Sequence, residues 1–485
     1  MNHVQSVLVA GGGTAGLIAA IILKKKLNIK VDVVYSKKIG IIGVGEGSTE
    51  HFREFMNVVG IDQYDLIKHC DATFKSGIMF ENWTDQPYLH SVGEPWNSKD
   101  AQYGFVYANQ ISKGIKKITN DLLWENKINK WFLNRKEEFP FNQFHFNTHK
   151  LNEFLINFAK TLGVNFYDDE IISVNIDDRG NIQSLIGEAN EYHYDFYIDS
   201  TGFKRMLMNE LGAKWQSYGK YLRMKSAITF QTEDEENYNL WTIARAMDAG
   251  WMFRIPVWGR YGNGYIFDSD YIDKDHAHRE VEALFGKDIE IGKQFHFDPG
   301  ALENTWINNC VAIGLSGSFV EPLEATSIGT SIQQSFLLMH KLQNYDQNVI
   351  KDYNKSVNDI MENIRDFLVL HYMTRKNNTD FWRDLANQEI PDSLGTKLER
   401  WRHKLPVNED FSHLSYYILF NSDNFTMCMH GLDLFDNASI RQEYDSKPQS
   451  IHSEAQDLIT KQNEFNRNIE TVSHKEYISI IRNCF

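Results

Sequence analysis

The sequence predicts an α/β fold with three parts: a core that opens with a β-α-β unit, an additional sheet, and a mainly helical C-terminal region. A short apolar run over 4–10 leads through a glycine-rich turn into a helix over 17–27 and a second strand over 30–35. Segments with strand propensity recur between 74 and 267, and they can form a separate sheet. Beyond Asn344 the residue spacing is mainly helical.

The predicted division of the chain falls near residue 345. Residues 1–345 form the predicted core, with the additional sheet embedded in it at about 74–110 and 220–300. Residues 346–485 form the predicted helical region, which covers the functional site. A length of 485 residues would also allow about three domains.

Composition narrows the class of protein. Hydrophobic residues make up 42% and charged residues 24%, as in ordinary globular proteins. The formal net charge of −15 argues against a nucleic-acid-binding surface, and no apolar run is long enough to span a bilayer. The four cysteines are far apart and form no CxxC pair, so neither a zinc site nor a disulfide framework is predicted. With no signal peptide in the sequence, a reducing, cytoplasmic location is the expectation.

The first motif follows the first predicted strand. It is Gly-Gly-Gly-Thr-Ala-Gly at 11–16, which has the pattern GxGxxG. The first glycine permits a tight turn, the second lets backbone N–H groups approach a pyrophosphate, and the third allows the helix to pack closely on the strand. A chance glycine turn is the alternative. The pattern predicts a dinucleotide site that includes Gly11, Gly13, Thr14, Ala15 and Gly16.

One departure from the motif concerns the ribose. The acidic residue expected at the end of the second strand is missing, and Ser36 stands near that place. Its hydroxyl can still hydrogen-bond a ribose, so Ser36 is included among the predicted cofactor contacts.

The second motif lies much later in the chain. A strand ending at Asp199 is followed by Gly202, and this Asp-x-x-Gly pattern is the late motif of FAD-binding folds of the glutathione-reductase type. Beside the glycine loop it predicts FAD rather than NAD as cofactor, bound in a Rossmann-like core. A plain strand-to-turn exit is the alternative. No second GxGxxG appears, so no NAD(P)H site is predicted.

Four further segments resemble the flavin-dependent tryptophan halogenase family. They are GVGEGST at 43–49, ATFKSGI at 72–78, GWMFRIP at 250–256 and FVEPLEATSI at 319–328. The resemblance keeps this order to about Leu342 and continues more loosely through 381–383. It implies an enzyme in which reduced FAD, oxygen and a halide (chloride, bromide or iodide) generate hypohalous acid. That acid then reaches a lysine beside an electron-rich aromatic substrate of the indole or phenol kind.

The resemblance also assigns site residues. By motif position the lysine is Lys75, and the catalytic glutamate, which orients the reagent or acts as general base, is Glu324. Thr326 and Ser327 match the halide-binding pair, which works mainly through backbone N–H groups, although the family usually has glycine in place of Ser327. The remaining cofactor contacts that it implies are Val44, Glu46, Val174, Leu315 and Ile328.

Interpretations of Lys75 and Glu324 that give them no catalytic role stay open at this point. A lysine is most often a solvated surface charge. A glutamate before a helix can simply favour the helix dipole, so that Glu324 would belong to a capping loop.

The sequence departs from the family in places that bear on activity and substrate. The family pattern is Trp-x-Trp-x-Ile-Pro, a motif associated with exclusion of direct monooxygenation, and Phe253 replaces its second tryptophan. Gly329 stands where tryptophan-specific members have a tyrosine, and no tryptophan clamp can be placed in the C-terminal region. His90 is a candidate pocket histidine, with a purely structural histidine as the alternative.

Two rival functions therefore stay open. One is a flavin monooxygenase of the same fold, and the other is a flavin-binding protein without catalysis. The expected partners are an aromatic small molecule and a separate flavin reductase. No nucleic-acid or membrane partner is expected, no metal is predicted, and a homo-oligomer is left open.

Overall fold

The structure, a computed structural model, describes residues 2–40, 46–91, 125–134, 141–454, 457, 460 and 469–484. Strands occupy much of the chain before the long C-terminal helices. They are β1 (Ser6–Ala10), β2 (Lys30–Tyr35), β3 (Glu46–Gly47), β4 (Thr73–Lys75), β5 (Gly77–Glu81), β6 (Tyr88–Ser91), β7 (Lys127–Asn129), β8 (Gln143–Phe146), β9 (Asn165–Asp168), β10 (Ile171–Ile176), β11 (Ile182–Gly187), β12 (Glu191–Tyr192), β13 (Phe196–Asp199), β14 (Trp215–Ser217), β15 (Ser226–Glu233), β16 (Thr242–Met247), β17 (Gly250–Val257), β18 (Arg260–Phe267), β19 (Ile291–His296), β20 (Gly300–Leu302), β21 (Trp306–Ile307), β22 (Cys310–Ala312), β23 (Ser318–Phe319) and β24 (Thr471–Ser473).

Helices separate the strands of the core and dominate the later part of the chain. The α-helices are α1 (Thr14–Lys26), α2 (His51–Val59), α3 (Gln63–His69), α4 (Thr148–Thr161), α5 (Met206–Glu210), α6 (Lys274–Phe285), α7 (Thr326–Lys341), α8 (Gln347–His371), α9 (Asp380–Leu385), α10 (Asp392–Trp401), α11 (Ser422–Gly431), α12 (Asn437–Asp445) and α13 (His474–Cys484). Short 3-10 helices cover Lys130–Asn134, Gly202–Lys204, Gly314–Ser316 and Asn408–Phe411. No helix of the described residues is both long and apolar enough to cross a membrane.

The core is a six-stranded sheet in the order β21-β22-β13-β1-β2-β9. Its strands run parallel from β22 to β9, and β21 is antiparallel. β1 and β2 are nearly continuous apolar runs because a parallel sheet is covered by other elements on both faces. The helix α1, buried from Gly16 to Leu23, packs against α4 and α7 on this sheet.

A second sheet of seven strands has the order β19-β15-β18-β17-β16-β5-β6. Neighbouring strands are antiparallel except for β16 and β5, which are parallel. It is the additional sheet expected from the sequence, although the segment 92–110 lies outside the described residues. The predicted fold class, an α/β core with an additional sheet and a mainly helical C-terminal region, is confirmed.

A small three-stranded sheet, β3-β8-β4, lies beside the additional sheet in sequence and in space. Only Ser76 separates β4 from β5. At the start of β5 a side chain on Gly77 would lie 2.2 Å from the carbonyl oxygen of His90, so glycine lets β5 and β6 approach closely there. β4 is thereby fixed beside the strand that carries His90.

The C-terminal helices pack on one continuous apolar core. The same hydrophobic cluster contains Val7 of β1, Phe367 of α8 and Ile481 of α13. At the start of α13, Nε2 of His474 accepts a hydrogen bond of 3.0 Å from the backbone N–H of Phe74, while Nδ1–H donates to the carbonyl oxygen of Asn239 at 3.1 Å. The end of the chain is therefore bonded directly to β4.

Candidate active site

The glycine loop after β1 leaves space at one glycine and is tightly packed at the other two. A Cβ on Gly11, whose φ is +117°, would lie 2.1 Å from the carbonyl oxygen of Ser200. A Cβ on Gly16 would lie 2.6 Å from the carbonyl oxygen of Gly11. Beside Gly13, by contrast, no described heavy atom lies within 4 Å of that position, and the first turn of α1 receives no side-chain cap from the described residues.

This open space has the character of a pyrophosphate site. The first N–H groups of a helix have no partner within the helix, and the helix dipole favours a negative charge beside them. Gly13 and the start of α1, with Thr14 and Ala15, therefore fit a dinucleotide at the place that the motif predicts.

Two later segments close around the glycine loop. A Cβ on Gly314 would lie 2.5 Å from the Cβ of Ala15, so the 3-10 turn that contains Leu315 rests on the start of α1. The hydroxyl of Ser316 donates to the carbonyl oxygen of Gly202 at 3.2 Å, which joins this turn to the late Asp-x-x-Gly motif. The structure thus brings together three segments that are far apart in sequence.

Asp199 is buried at the end of β13, and its carboxylate accepts hydrogen bonds from residues that follow it closely in the chain. One oxygen accepts hydrogen bonds from the N–H and the hydroxyl of Thr201, and the other accepts from the N–H groups of Leu207 and Met208. These bonds shape the turn and cap α5. A direct contact between Asp199 and the cofactor stays a prediction.

The remaining predicted cofactor residues are more widely spread. Ser36 follows β2 and is half-buried, whereas Ile328 is buried in the first turn of α7. Val174, in β10, packs against the smaller hydrophobic cluster that includes Leu8 of β1. Glu46 lies in β3, and Val44 lies outside the described residues. Their roles as cofactor contacts stay predictions.

The predicted halide pair begins α7. Ala325, with a φ of +54°, precedes the helix, and no side chain of the described residues caps its first turn. A small cavity of about 10 Å³ adjoins Thr326 and Ser327, which is room for about one water-sized particle. Its full lining is Gly314, Ser318, Phe319, Val320, Thr326, Ser327, Thr330 and Met361. A small space at a helix N-terminus is suited to a small anion.

Lys75, the last residue of β4, is buried with 2% of its surface exposed. Its Nζ donates a hydrogen bond of 2.7 Å to the carbonyl oxygen of Ser48. Burial lowers the pKa of Lys75 to about 8, and the carboxylates of Glu324 and Glu50 act in the opposite direction. The interpretation of Lys75 as a solvated surface charge is therefore wrong.

Glu324 is also buried and is held by two histidines. Nδ1 of His90 lies 3.0 Å from Oε1 and 2.9 Å from Oε2, and Nε2 of His371 lies 2.9 Å from Oε1. Burial alone would raise the pKa of Glu324, but the two histidines outweigh it and lower that pKa to about 2. The glutamate is thus more than a residue that favours the dipole of α7.

The two histidines reach Glu324 from different elements and have their own partners. His90 comes from β6, and its Nε2 lies 3.1 Å from Nδ2 of Asn424 in α11. His371 ends α8, and its Nε2 also lies 3.4 Å from Sγ of Cys428. The sequence identified His90 as a candidate. It did not identify His371, Asn424 or Cys428, since each of these lies far from the motifs along the chain.

His90, Glu324, His371 and Cys428 are all residue types that can bind a metal, with one ligand atom of each within 4.8 Å of the others. The backbone N–H of Asn421 donates to Oδ1 of Asn424, so Nδ2 of that amide is the group facing His90. Nε2 of His90 therefore accepts, and Nδ1 carries the hydrogen that Glu324 receives. Hydrogen bonds explain the cluster without an ion, and the absence of a metal stays a prediction.

A second glutamate of the same loop is bound by the residue after His371. Glu321 is fully buried and accepts a hydrogen bond of 2.5 Å from the hydroxyl of Tyr372, with the indole of Trp251 facing the pair. Burial raises the pKa of Glu321 to about 7. Consecutive residues at the end of α8 therefore hold both glutamates of the loop.

Two departures from the family pattern have a physical basis in the packing. The ring of Phe253 lies on Gly264 of the neighbouring strand, where a Cβ would approach a ring carbon to 2.4 Å. A Cβ on Gly329 would lie 2.5 Å from Oγ1 of Thr49 and 3.2 Å from a methyl group of Leu419. A tyrosine at position 329 has no room in this arrangement.

Fold and site together define an α/β flavoprotein with a buried amine and a buried carboxylate beside a helix N-terminus. The model of the tryptophan halogenase family matches residues 6–445, and the chain belongs to that family.

Similar proteins support the assignment along nearly the whole chain. Tryptophan 6-halogenase SttH from Streptomyces toxytricini is 32% identical over 459 residues, which cover 84% of this chain and 85% of that protein. The 7-chloro-L-tryptophan 6-halogenase KtzR from Kutzneria sp. is 31% identical, with 83% and 86% covered. The solved structure of a tryptophan halogenase from Shewanella frigidimarina superimposes with a TM-score of 0.88 at 25% identity, over 100% of this chain and 98% of that one. The protein is thus a flavin-dependent halogenase, an oxidoreductase of a family that uses FAD and halide.

Proposed function

We propose that this enzyme halogenates an electron-rich aromatic ring of the indole or phenol kind, with Lys75 presenting the halogenating species and Glu324 acting as general base. The observation that carries the proposal is the burial of both groups in one electrostatically coupled site. A shielded amine can hold hypohalous acid or form a haloamine without losing it to water. A buried carboxylate beside it can remove the proton from the halogenated ring.

The cofactor assignment rests on the fit of the glycine loop. Gly13 and the first N–H groups of α1 would hold the pyrophosphate, with Gly11 and Gly16 setting the close packing around it. When bound, reduced FAD together with oxygen supplies the oxidising power that converts halide to hypohalous acid. The N–H groups of Thr326 and Ser327 would hold the halide, because they begin a helix beside a small cavity.

An indole is the first candidate among aromatic substrates. The curated relatives SttH and KtzR are named for halogenation of tryptophan or chlorotryptophan. In this chain position 329 is a glycine with no room for a tyrosine side chain. The part of the substrate outside the ring must therefore be recognised by side chains at other positions. We therefore assign the ring class and propose no particular side chain for tryptophan selectivity.

A separate flavin reductase is the proposed partner, because the sequence contains only one dinucleotide motif. The purified protein alone should oxidise NADH slowly. Rapid NADH-driven flavin reduction without added reductase would reject this part of the proposal. The cytoplasmic location and the oligomeric state stay predictions.

The direct experiment supplies reductase, NADH, FAD and bromide with a panel of indoles and phenols, and analyses products by mass spectrometry. Brominated indole or phenol is the expected product. Hydroxylated product instead would support the monooxygenase alternative. Tight FAD binding with neither product from any ring would contradict the proposed substrate class.

A further inference from the structure

His371 is held at both ring nitrogens. Nδ1 lies 2.7 Å from the carbonyl oxygen of Phe367, one turn earlier in α8. A carbonyl oxygen can only accept, so Nδ1 carries a hydrogen. In a neutral imidazole Nε2 then has a lone pair, yet it lies 2.9 Å from Oε1 of Glu324. Two acceptors at that distance repel each other, so this contact requires a proton on one of them.

His90 cannot provide that proton. Its Nδ1–H already donates to Glu324, and its Nε2 must stay unprotonated to accept from Nδ2 of Asn424. The orientation of this amide is set by the backbone N–H of Asn421, which donates to Oδ1. His90 therefore orients the carboxylate as a neutral donor.

The remaining neighbours are poor sources as well. Burial raises the pKa values of Cys428 and Tyr88 well above their usual ranges, so both stay protonated at neutral pH. Lys75 interacts with the carboxylate of Glu324 through its charge, whereas its Nζ donates a hydrogen bond to the carbonyl oxygen of Ser48. The contact between Glu324 and His371 thus contains one mobile proton of its own.

Burial favours keeping this proton. Glu324 has 3% and His371 has 0% of the side chain exposed. With one shared proton the two side chains carry no net charge, whereas losing the proton would leave an isolated carboxylate out of water. We call the two residues the Glu324–His371 pair.

We propose that the Glu324–His371 pair is the proton shuttle of halogenation, giving its proton to the hydroxide released from hypohalous acid and taking back the proton lost by the aromatic carbon. The inference deepens the proposed function and rests on it. A general base alone would account for the second of these transfers and leave the first without an assigned donor.

The transfers balance. The oxygen–halogen bond breaks, hydroxide leaves with its electron pair, and the proton from the pair converts it to water. The π electrons of the ring form the carbon–halogen bond, so that the ring is oxidised and the halogen reduced by two electrons. The carbon–hydrogen bond then breaks, its electrons restore aromaticity, and its proton returns to the pair. If Lys75 instead becomes a haloamine, its own N–H proton converts the hydroxide to water, and the pair gives its proton to the amine nitrogen when the nitrogen–halogen bond breaks.

The carboxylate has an oxygen suited to these transfers. Oε1 accepts from both histidines, whereas Oε2 accepts only from His90 among the described residues. A carboxylate oxygen has room for more than one donor, so Oε2 is the atom that would meet the reacting groups. His371 acts through Glu324 and is a positioning residue that also stores the proton.

Two variants separate proton storage from simple hydrogen bonding. In His371→Gln the amide nitrogen can reach the position of Nε2 and donate to Glu324, but it cannot exchange a proton. In His371→Asn the amide can keep the bond to the carbonyl of Phe367 and loses the contact with Glu324. FAD affinity and thermal unfolding serve as controls for folding.

Turnover of an accepted aromatic with excess reductase is then measured from about pH 6 to about pH 9. Wild-type kcat should hold at the acid end of this range, where Glu324 stays ionised, and fall toward the alkaline end as the pair loses its only proton. His371→Gln should lower kcat about 100-fold at neutral pH with little change in KM. Its kcat should rise as pH falls, because Glu324 alone must then be protonated. His371→Asn should be at least as impaired.

Unchanged kcat and pH profile in His371→Gln, beside an active wild type, would overturn the shuttle and leave the proposed function standing. No halogenated product from the wild type would overturn the proposed function itself.

A measurement on the wild type covers the case in which neither variant folds. At about pH 8.5 ordinary histidines and carboxylates have lost their protons. Either an imidazolium ¹⁵N signal or a carboxylic acid infrared band should persist there and disappear in Glu324→Gln. The absence of both signals would also overturn the proposal.

Discussion

Replacing Lys75 by methionine should stabilise the protein and abolish its product. Methionine keeps the bulk of the side chain and removes the amine. The pKa of Lys75 falls from 10.5 to about 8 because the amine is buried. At about 1.4 kcal/mol for each pKa unit, the burial of the charged amine costs about 3 kcal/mol. The lost hydrogen bond to Ser48 costs about 1 kcal/mol, so the expected net gain is about 2 kcal/mol.

The gain depends on pH with a defined sign. Below about pH 8 the amine is charged in both the folded and the unfolded protein, and the full cost is present. Between about 8 and 10.5 the folded protein has released the proton that the unfolded chain still binds, so wild-type stability rises with pH. The advantage of Lys75→Met should therefore disappear as the pH rises through this range.

Thermal unfolding of FAD-free protein at about pH 7 and about pH 10 tests this prediction. Lys75→Met should unfold about 2–4 °C above wild type at the lower pH and not above it at the higher pH. Lys351→Met, at an exposed position of α8, is the matched control and should change little at either pH. A lower melting temperature for Lys75→Met at neutral pH, or a gain independent of pH, would refute the burial reasoning.

The same variant tests the role of the amine. Lys75→Met should bind FAD with unchanged affinity and reoxidise flavin normally while forming no halogenated product, because the amine acts only in delivery to carbon. Product above a few per cent of the wild-type level would contradict the role of the Lys75 amine in halogen delivery.

Three other substitutions follow from the packing. Gly13→Val should weaken FAD binding at least about 10-fold by flavin fluorescence, because its side chain fills the space beside the start of α1; unchanged affinity in folded protein would contradict it. Gly329→Ala should lower stability by about 1–3 kcal/mol through its clash with Thr49, whereas Gly395→Ala in α10 should be neutral or stabilising. His474→Leu should lower the melting temperature, since it removes the hydrogen bond that the backbone N–H of Phe74 donates to the imidazole, at a cost of about 1 kcal/mol; an unchanged melting temperature would reject that contact.

Features encoded by consecutive residues could be predicted from the sequence. The strand, glycine turn and helix at 6–26 depend on local conformation, and the structure places them as expected. The additional sheet and the helical C-terminal region follow from residue spacing in the same way. Lys75 and Glu324 came from the resemblance of whole segments to a family, since no local rule distinguishes them from other lysines and glutamates.

The surroundings of those two residues were decided by the tertiary structure. Glu324 meets His90 from β6 and His371 from α8, and no periodicity in the sequence relates these three positions. Their protonation depends on a second layer of contacts, such as the amide of Asn424, that forms only when α11 packs on β6. The lowered pKa of Lys75 likewise results from burial, which is a property of the assembled core.

The sequence by itself therefore determined the α/β class, the dinucleotide loop and the family, because these depend on short-range conformation and on ordered motifs. Only the folded chain decided which polar groups share a proton and which glycine of the loop has space beside it. It also decided which strand the last helix contacts, through the hydrogen bond from Phe74 to His474. The physical reason is distance along the chain. Hydrogen bonds and desolvation act over a few ångströms in space, whereas a sequence pattern reports only on neighbours in the chain.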